Sequence, residues 1–170
     1  LLSVRSKTLL SLLFCFSAAV LSAFLDALTV TAVLIGVMIG FYRIYHAVIS
    51  GDDFRNQEHN LKDDSQISTL NANELENFKG FLRDLVMHGA VGTALGGVCT
   101  TVGEPQNLVI AGKAGWDFME FFFQMAPITM PILFTGLLTC IVIEKFSIAG
   151  FGNQLPMSVR DVFNDFSEYR

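Results

Sequence analysis

Charged residues are scarce in this sequence, and their scarcity excludes an ordinary water-soluble domain. Of the 170 residues only 16% are charged, whereas 52% are hydrophobic, and the mean hydropathy is +0.50. A surface that faces water does not tolerate this balance. Charges largely avoid three stretches, roughly 8–48, 85–111 and 118–143, which have the length and polarity of membrane-spanning segments. The composition therefore predicts an all-α membrane protein.

The sequence is also poor in cysteine and in clustered basic residues. Cys15, Cys99 and Cys140 lie singly in apolar stretches without CxxC spacing, which indicates apolar packing rather than disulfides or a zinc site. The net charge of −5 comes mainly from the acidic segment 52–84, so the chain lacks the basic footprint of a nucleic-acid-binding protein. No HExxH motif, paired-Asp motif or Ser/His arrangement is present, and we expect neither enzymatic activity nor a cofactor.

The first apolar stretch, residues 8–49, is about twice as long as one spanning helix requires. It must fold back on itself, either as two full spans with almost no turn or as a re-entrant hairpin with its tip at 22–31. Arg5 and Lys7 precede the stretch and Arg43 lies near its end, which places both ends at the cytoplasm. Because the chain begins at Leu1 and shows no signal-peptide cleavage pattern, we expect an internal segment of a longer protein.

Helical periodicity begins after a polar loop. Leu75, Phe78, Leu82 and Leu85 recur at spacings of three and four residues, which predicts an amphipathic helix along the membrane surface, with Asn71 or Asn73 as its N-cap. The next stretch, 85–111, contains too many glycines for one continuous helix, and we expect it to unwind near 99–106.

The last apolar stretch reads as one spanning helix. Asp117 and Glu120 have the spacing of a capping box, while Pro127 and Pro131 indicate a kink. With this topology only Lys113 of the eleven Lys and Arg residues faces outward. The predicted organisation is a helical hairpin over 1–49, a cytoplasmic loop and amphipathic interfacial helix over 50–84, a discontinuous transmembrane helix over 85–111, a transmembrane helix over 118–144, and a cytoplasmic or interfacial tail over 145–170.

Two carboxylates lie well inside the apolar stretches, Asp26 in SAFLDALTVT and Glu104 in TTVGEPQN. A charged side chain at membrane depth costs about 2.5–3.5 kcal/mol even on the lenient insertion scale, so we expect each acid to face a cavity, an ion or a partner. A protonated or paired structural acid is the alternative for both. A buried carboxylate that holds either a proton or a hard cation suits proton-coupled transport, and Asp26 is the predicted sodium ligand.

The run GGVCTTVGEPQN, residues 96–107, is the predicted break. Gly96, Gly97, Gly103 and Pro105 free backbone groups that persist in a bilayer only when protein or a water-filled cavity surrounds them. Sodium prefers oxygen ligands, although for each hydroxyl a helix cap or a bond to the preceding turn is the simpler interpretation. The candidate ligands besides the two acids are Ser22, Thr29, Thr31, Thr100, Thr101 and Asn107.

Small residues and histidines invite structural interpretations. Gly92 and Gly96, like Gly36 and Gly40, have the spacing that lets helices approach closely. The histidines lie at predicted membrane edges or in the loop, where a solvated or capping role is the more common one and a proton sensor is the alternative. They are His46, His59 and His88.

SAFLDALTVTAVLIGV, followed some seventy residues later by GGVCTTVGEPQNLVIAG, resembles the NhaB family of bacterial sodium/proton antiporters, within the larger ion transporter superfamily. The resemblance extends to VRDVFNDF near the C-terminus. It implies one half of an inverted-repeat fold, in which each half supplies a hairpin and a discontinuous helix to one midplane site. Related carboxylate transporters show Ser-Asn-Thr at the hairpin tip, whereas this chain has Leu25, Asp26 and Ala27. It also has Glu104 where those transporters have a neutral residue.

The resemblance implies a multi-pass protein of the bacterial inner membrane that exports cytoplasmic sodium in exchange for external protons. Its expected partners are the lipid bilayer, sodium, protons and the remainder of the transporter chain, and a homo-oligomer is compatible with the sequence. Two added acids suit a cation and repel an anion. A dicarboxylate-like anion transporter, whose tip hydroxyls and helix N-termini would hold the substrate, and a purely structural membrane subunit are the alternatives.

Overall fold

The computed structural model describes residues 7–50 and 69–148, and all regular structure within them is helical. The predicted loop before 69 with His59, and the tail beyond 148, lie outside the described residues. The all-α prediction is confirmed. The five helices are α1 (Lys7–Phe24), α2 (Ala27–Ile49), α3 (Thr69–Gly97), α4 (Pro105–Ala114) and α5 (Phe118–Lys145).

Three of these helices, α1, α2 and α5, are long and apolar enough to cross a membrane. They confirm the prediction of a helical membrane protein. The first two are joined by Leu25 and Asp26 alone, so the hairpin has almost no turn and each of its arms is long enough to span.

Helix α3 differs from its predicted form. It begins at Thr69 and continues to Gly97, so the amphipathic segment and the first half of the broken stretch form one helix, and the prediction of Asn71 or Asn73 as N-cap is wrong. The apolar face packs on protein, since Phe78 and Leu85 share a buried core with Tyr45 of α2 and Leu10 of α1. Phe78 and Tyr45 meet edge to face with ring centroids 5.0 Å apart. Packing against α1 and α2 extends this helix beyond what its own amphipathic pattern specified.

The contact between α1 and α3 brings two backbones together. A Cβ added to Gly92 would lie 2.1 Å from the carbonyl oxygen of Cys15, and one added to Gly96 would lie 1.9 Å from that of Ala19. The two helices are therefore parallel. Glycine is the only residue that fits at these two positions of the contact. Gly36 and Gly40 have the same spacing, but an added Cβ there meets nothing within 4 Å in the described part of the chain.

Helix α5 is antiparallel to α1 and α3. Its predicted capping box is confirmed, because the Asp117 side chain accepts a hydrogen bond from the Glu120 amide and the Glu120 side chain accepts one from the Asp117 amide. The helix continues through both internal prolines as a single element, also as predicted. Near its end the sulfur of Cys140 lies 3.8 Å from that of Cys15 on α1.

Gly96→Ala in the full-length protein should lower the free energy of unfolding by at least about 2 kcal/mol, because the added methyl group overlaps the α1 backbone. Gly36→Ala is the matched control and should change it by no more than about 1 kcal/mol, since alanine has the higher helix propensity and its Cβ meets nothing within 4 Å among the described residues. Unfolding in mild detergent, titrated with SDS, measures both. Equal stability of Gly96→Ala and the wild type would contradict the close backbone contact.

Candidate functional site

The break between α3 and α4 covers residues 98–104 and lies within one or two residues of the predicted unwound segment. Glu104 is the N-cap residue of α4, and Pro105 occupies its first turn. Proline is favoured there because its missing N–H would have no partner inside the helix. The glycines before it and the proline after it thus end one helix and begin the next.

The hairpin turn packs directly on this break. The Ala27 amide donates to the Gly103 carbonyl at 3.3 Å, and the Thr100 hydroxyl donates to the carbonyl of Ala23 at the end of α1. Asp26 precedes the donor of the first bond and Glu104 follows its acceptor. The structure therefore brings the two acid-bearing backbone segments together.

Asp26 caps the N-terminus of α2. Its carboxylate accepts a bond from the Thr29 amide at 2.9 Å and another from the Thr29 hydroxyl. These donors and the positive end of the helix dipole stabilise the ionised carboxylate. Its side chain remains partly exposed, so the capping role leaves it accessible to an ion.

The Glu104 side chain does not cap its helix as that of Asp26 does. Its side chain makes no capping hydrogen bond, and the residue is half-buried. The carboxylate lies against Gly97, where an added Cβ would come within 3.1 Å of its Oε1 atom. Gly97 thereby leaves room for the acid beside the end of α3.

Most of the predicted hydroxyl ligands connect helices. Ser22 is fully buried and donates to the Thr93 carbonyl at 2.8 Å, and the hydroxyl oxygens of Thr31 and Thr93 lie 3.3 Å apart. Thr100 also accepts from the Gly103 amide at 3.2 Å. Thr101 is buried, while Thr29 is exposed and bonds to Asp26. Sequence reasoning missed Thr93, whose position gave no signal apart from lying near the glycines.

Asn107 holds the two sides of the break together. Its buried amide donates to the carbonyls of Gly97 at 3.0 Å and Thr100 at 2.7 Å. Carbonyl groups freed at the end of α3 thereby gain partners from the first turn of α4. The described ranges contain no group of three His, Cys, Asp or Glu side chains placed to hold a metal, so a sodium ion here would depend on carbonyl and hydroxyl oxygens in addition to the acids.

A second ionisable cluster lies at the other end of α1, and sequence reasoning did not find it. Lys7 pairs with Asp84 at 2.8 Å and with Glu144 at 3.0 Å, and His88 lies 3.7 Å from Glu144. His88 is buried, whereas the sequence favoured a solvated or capping histidine. The only local signal was the helical spacing of Asp84 and His88.

Comparison with known proteins identifies the family. The family model described as "Bacterial Na+/H+ antiporter B (NhaB)" matches residues 1–170. The chain belongs to the NhaB family. No solved structure matches it.

Curated NhaB relatives are similar over nearly the whole chain. The Na(+)/H(+) antiporter NhaB of Teredinibacter turnerae is 59% identical over 168 residues, which cover 99% of this chain and 34% of the relative. The antiporter of the same name from Hahella chejuensis is 58% identical with the same coverage, and that of Shewanella denitrificans is 60% identical over 98% of the chain and 31% of the relative. The chain therefore spans about a third of the length of these relatives.

Asn107→Ala should lower the free energy of unfolding by about 2 kcal/mol, because it leaves the Gly97 and Thr100 carbonyls without their donor. Gln106→Ala removes an exposed amide from the same turn and should change stability by about 0.5 kcal/mol or less. SDS titration of the full-length protein compares the two variants. If both lost the same stability, Asn107 would not be bridging the break.

Proposed function

We propose that the full-length transporter exports cytoplasmic sodium across the bacterial inner membrane in electrogenic exchange for external protons, and that Asp26 and Glu104 belong to its ion site. One observation carries the proposal. The Ala27–Gly103 hydrogen bond joins the turn after Asp26 to the break before Glu104. The name of these relatives, Na(+)/H(+) antiporter, supports the choice of ions.

The chemistry of the junction suits alternate occupation by a proton and sodium. Asp26 is partly exposed, and its Thr29 donors stabilise the ionised carboxylate, which can accept either cation. Glu104 is half-buried and makes no capping bond, so its carboxylate is available as a second ligand or gate. Proton and sodium compete for the same oxygens, and binding of one releases the other.

The pair of acids argues against the anion-transport alternative. A dicarboxylate at this junction would face two carboxylates, and within the described residues neither acid forms an ion pair with a cationic side chain. The hydroxyls of Ser22 and Thr100 are moreover used in bonds between helices. A cation is the substrate that this charge distribution favours.

Asp26→Asn should reduce sodium-dependent proton movement by at least about tenfold, which corresponds to loss of one charge-assisted ligand. Asparagine caps helices as well as aspartate does, so the variant removes the charge and keeps the cap on α2. Asp117→Asn is the matched control. It makes the same exchange at the N-cap of α5, near the same end of α1, and should transport normally.

Everted vesicles or proteoliposomes that contain the full-length protein give the measurement. Normal exchange by Asp26→Asn would contradict the role of Asp26, and Asp26→Glu should keep part of the activity. Sodium-independent uptake of a dicarboxylate by the wild type would favour the anion transporter instead. Normal transport after neutral replacement of both acids would favour a structural subunit.

Glu104→Gln should raise the sodium concentration at half-maximal exchange by about threefold to tenfold while leaving substantial maximal activity, because a secondary ligand contributes about 1 kcal/mol to binding. Exchange rates measured over a series of sodium concentrations separate the two parameters. An unchanged sodium dependence would remove Glu104 from the site, and the control Glu120→Gln tests whether loss of any acid at this end of the bundle has the same effect.

A further inference from the structure

The cluster at the start of α1 buries several charges on three helices. The side chains of Asp84, His88 and Glu144 are 0%, 3% and 2% exposed, and that of Lys7 is 10% exposed. Lys7 lies on α1, Asp84 and His88 on α3, and Glu144 on α5. Lys7 and Ala23 are 16 residues apart on α1, which places this cluster about 24 Å from the Asp26 turn.

The tautomer of His88 follows from its neighbours. Its Nδ1 atom lies 2.7 Å from the carbonyl oxygen of Asp84, and a carbonyl only accepts, so Nδ1 carries a proton. The other ring nitrogen, Nε2, faces the Oε2 atom of Glu144 at 3.7 Å. An unprotonated Nε2 would place a lone pair against an ionised carboxylate. The contact is favourable only when a proton is bound to Nε2 or to Glu144.

Glu144 provides independent support. Within the described residues, neither of its carboxylate oxygens accepts a hydrogen bond of good geometry, although the ammonium group of Lys7 lies at ion-pair distance. A buried carboxylate with so few donors is costly in its ionised form and gains from a proton.

The surrounding charges decide between a proton and a metal ion. The ammonium group of Lys7 contacts both Asp84 and Glu144 and occupies the position that a metal cation would take. Arg83 contacts the other oxygen of Asp84 at 3.2 Å. Among the described residues, the Cys140 thiol on α5 also lies near His88, and it contacts the Cys15 thiol of α1. Three of the four carboxylate oxygens already contact a cationic side chain, which leaves too few ligands for a metal ion. A proton needs only the Nε2 atom of His88 and the Oε2 atom of Glu144.

We propose that His88 and Glu144 together bind one exchangeable proton at a second site, at the opposite end of α1 from Asp26 and Glu104. Because Glu144 lies on α5 and His88 on α3, with Lys7 of α1 between the acids, loss of this proton weakens the junction of the three helices. The site thereby makes the packing of α1, α3 and α5 sensitive to pH.

The unfolding temperature of the full-length transporter in mild detergent, measured between about pH 5 and pH 9, tests the proposal. The unfolding temperature of the wild type should fall in a step as the pH rises and the proton is lost. Both His88→Gln and Glu144→Gln should abolish this step. The double variant should lose no more of the pH-dependent change in unfolding temperature than either single variant, because the two residues share one proton. Glu76→Gln is the control, since it removes a carboxylate of α3 that is 71% exposed, and it should keep the wild-type profile.

A pH-independent drop of the unfolding temperature in both single variants would overturn the proposal and assign the pair a structural role. Persistence of the wild-type step in both would also overturn it. If the single variants fail to fold, the neutral double variant decides by the presence or absence of the step. The readout does not depend on which ion is transported, so its outcome is independent of the proposed sodium/proton exchange.

Discussion

The direct contact between the backbones of α1 and α3 is the constraint on which the rest of the structure depends. Gly92 and Gly96 let the two helices meet along carbonyl groups of α1, and at the break a Cβ on Gly103 would lie 2.6 Å from the carbonyl oxygen of Ser22. This proximity puts the end of α1 beside the break. The hydrogen bonds of Ser22 and Thr100 follow from it, as does the position of the turn that carries Asp26.

The break between α3 and α4 requires partners for its freed backbone groups, and here neutral groups supply them. The Asn107 side chain and the Ala27 amide donate to carbonyl groups of the break, and the Thr100 hydroxyl accepts from the Gly103 amide. The two acids are therefore not needed to hold the break together. Asp26 caps α2, which an asparagine would also do, and Glu104 makes no capping bond. This division between neutral structural groups and accessible carboxylates suits the junction to the proposed role as an ion site.

The two ends of α1 lie beside ionisable groups of different kinds. At one end lie the turn and the break with their accessible acids, and at the other lies the buried cluster of Lys7, Asp84 and Glu144 with His88. Buried ion pairs contribute little net stability but are costly to disrupt singly. The cluster therefore fixes how α1, α3 and α5 meet, and α1 connects that junction to the proposed ion site.

Local patterns predicted the turn, the break and the capping box, and they failed where an outcome depended on distant residues, as for the extent of α3. The turn at Asp26, the break after Gly97 and the capping box at Asp117 each depend on residues within a few positions of one another. The glycine pairs on α2 and α3 have identical spacing, yet within the part of the chain that the structure describes only Gly92 and Gly96 meet another helix, because the spacing does not specify a partner.

The buried cluster was missed for the same reason. Lys7 and Asp84 are separated by 77 positions, and each lies at the edge of an apolar stretch, where a charge is ordinary. The roles assigned to the candidate ligands stay predictions, since neither spacing nor packing identifies a bound ion.

A double-mutant cycle on sodium binding tests most directly whether Asp26 and Glu104 form one site. Sodium affinity would be measured calorimetrically for the purified full-length protein, for Asp26→Asn, for Glu104→Gln and for the double variant. We predict that the losses of sodium-binding free energy in the two single variants are not additive. The coupling should be at least about 0.5 kcal/mol, because both acids would contact the same ion. Additive losses would mean that the two acids act at separate places, which would contradict the shared site.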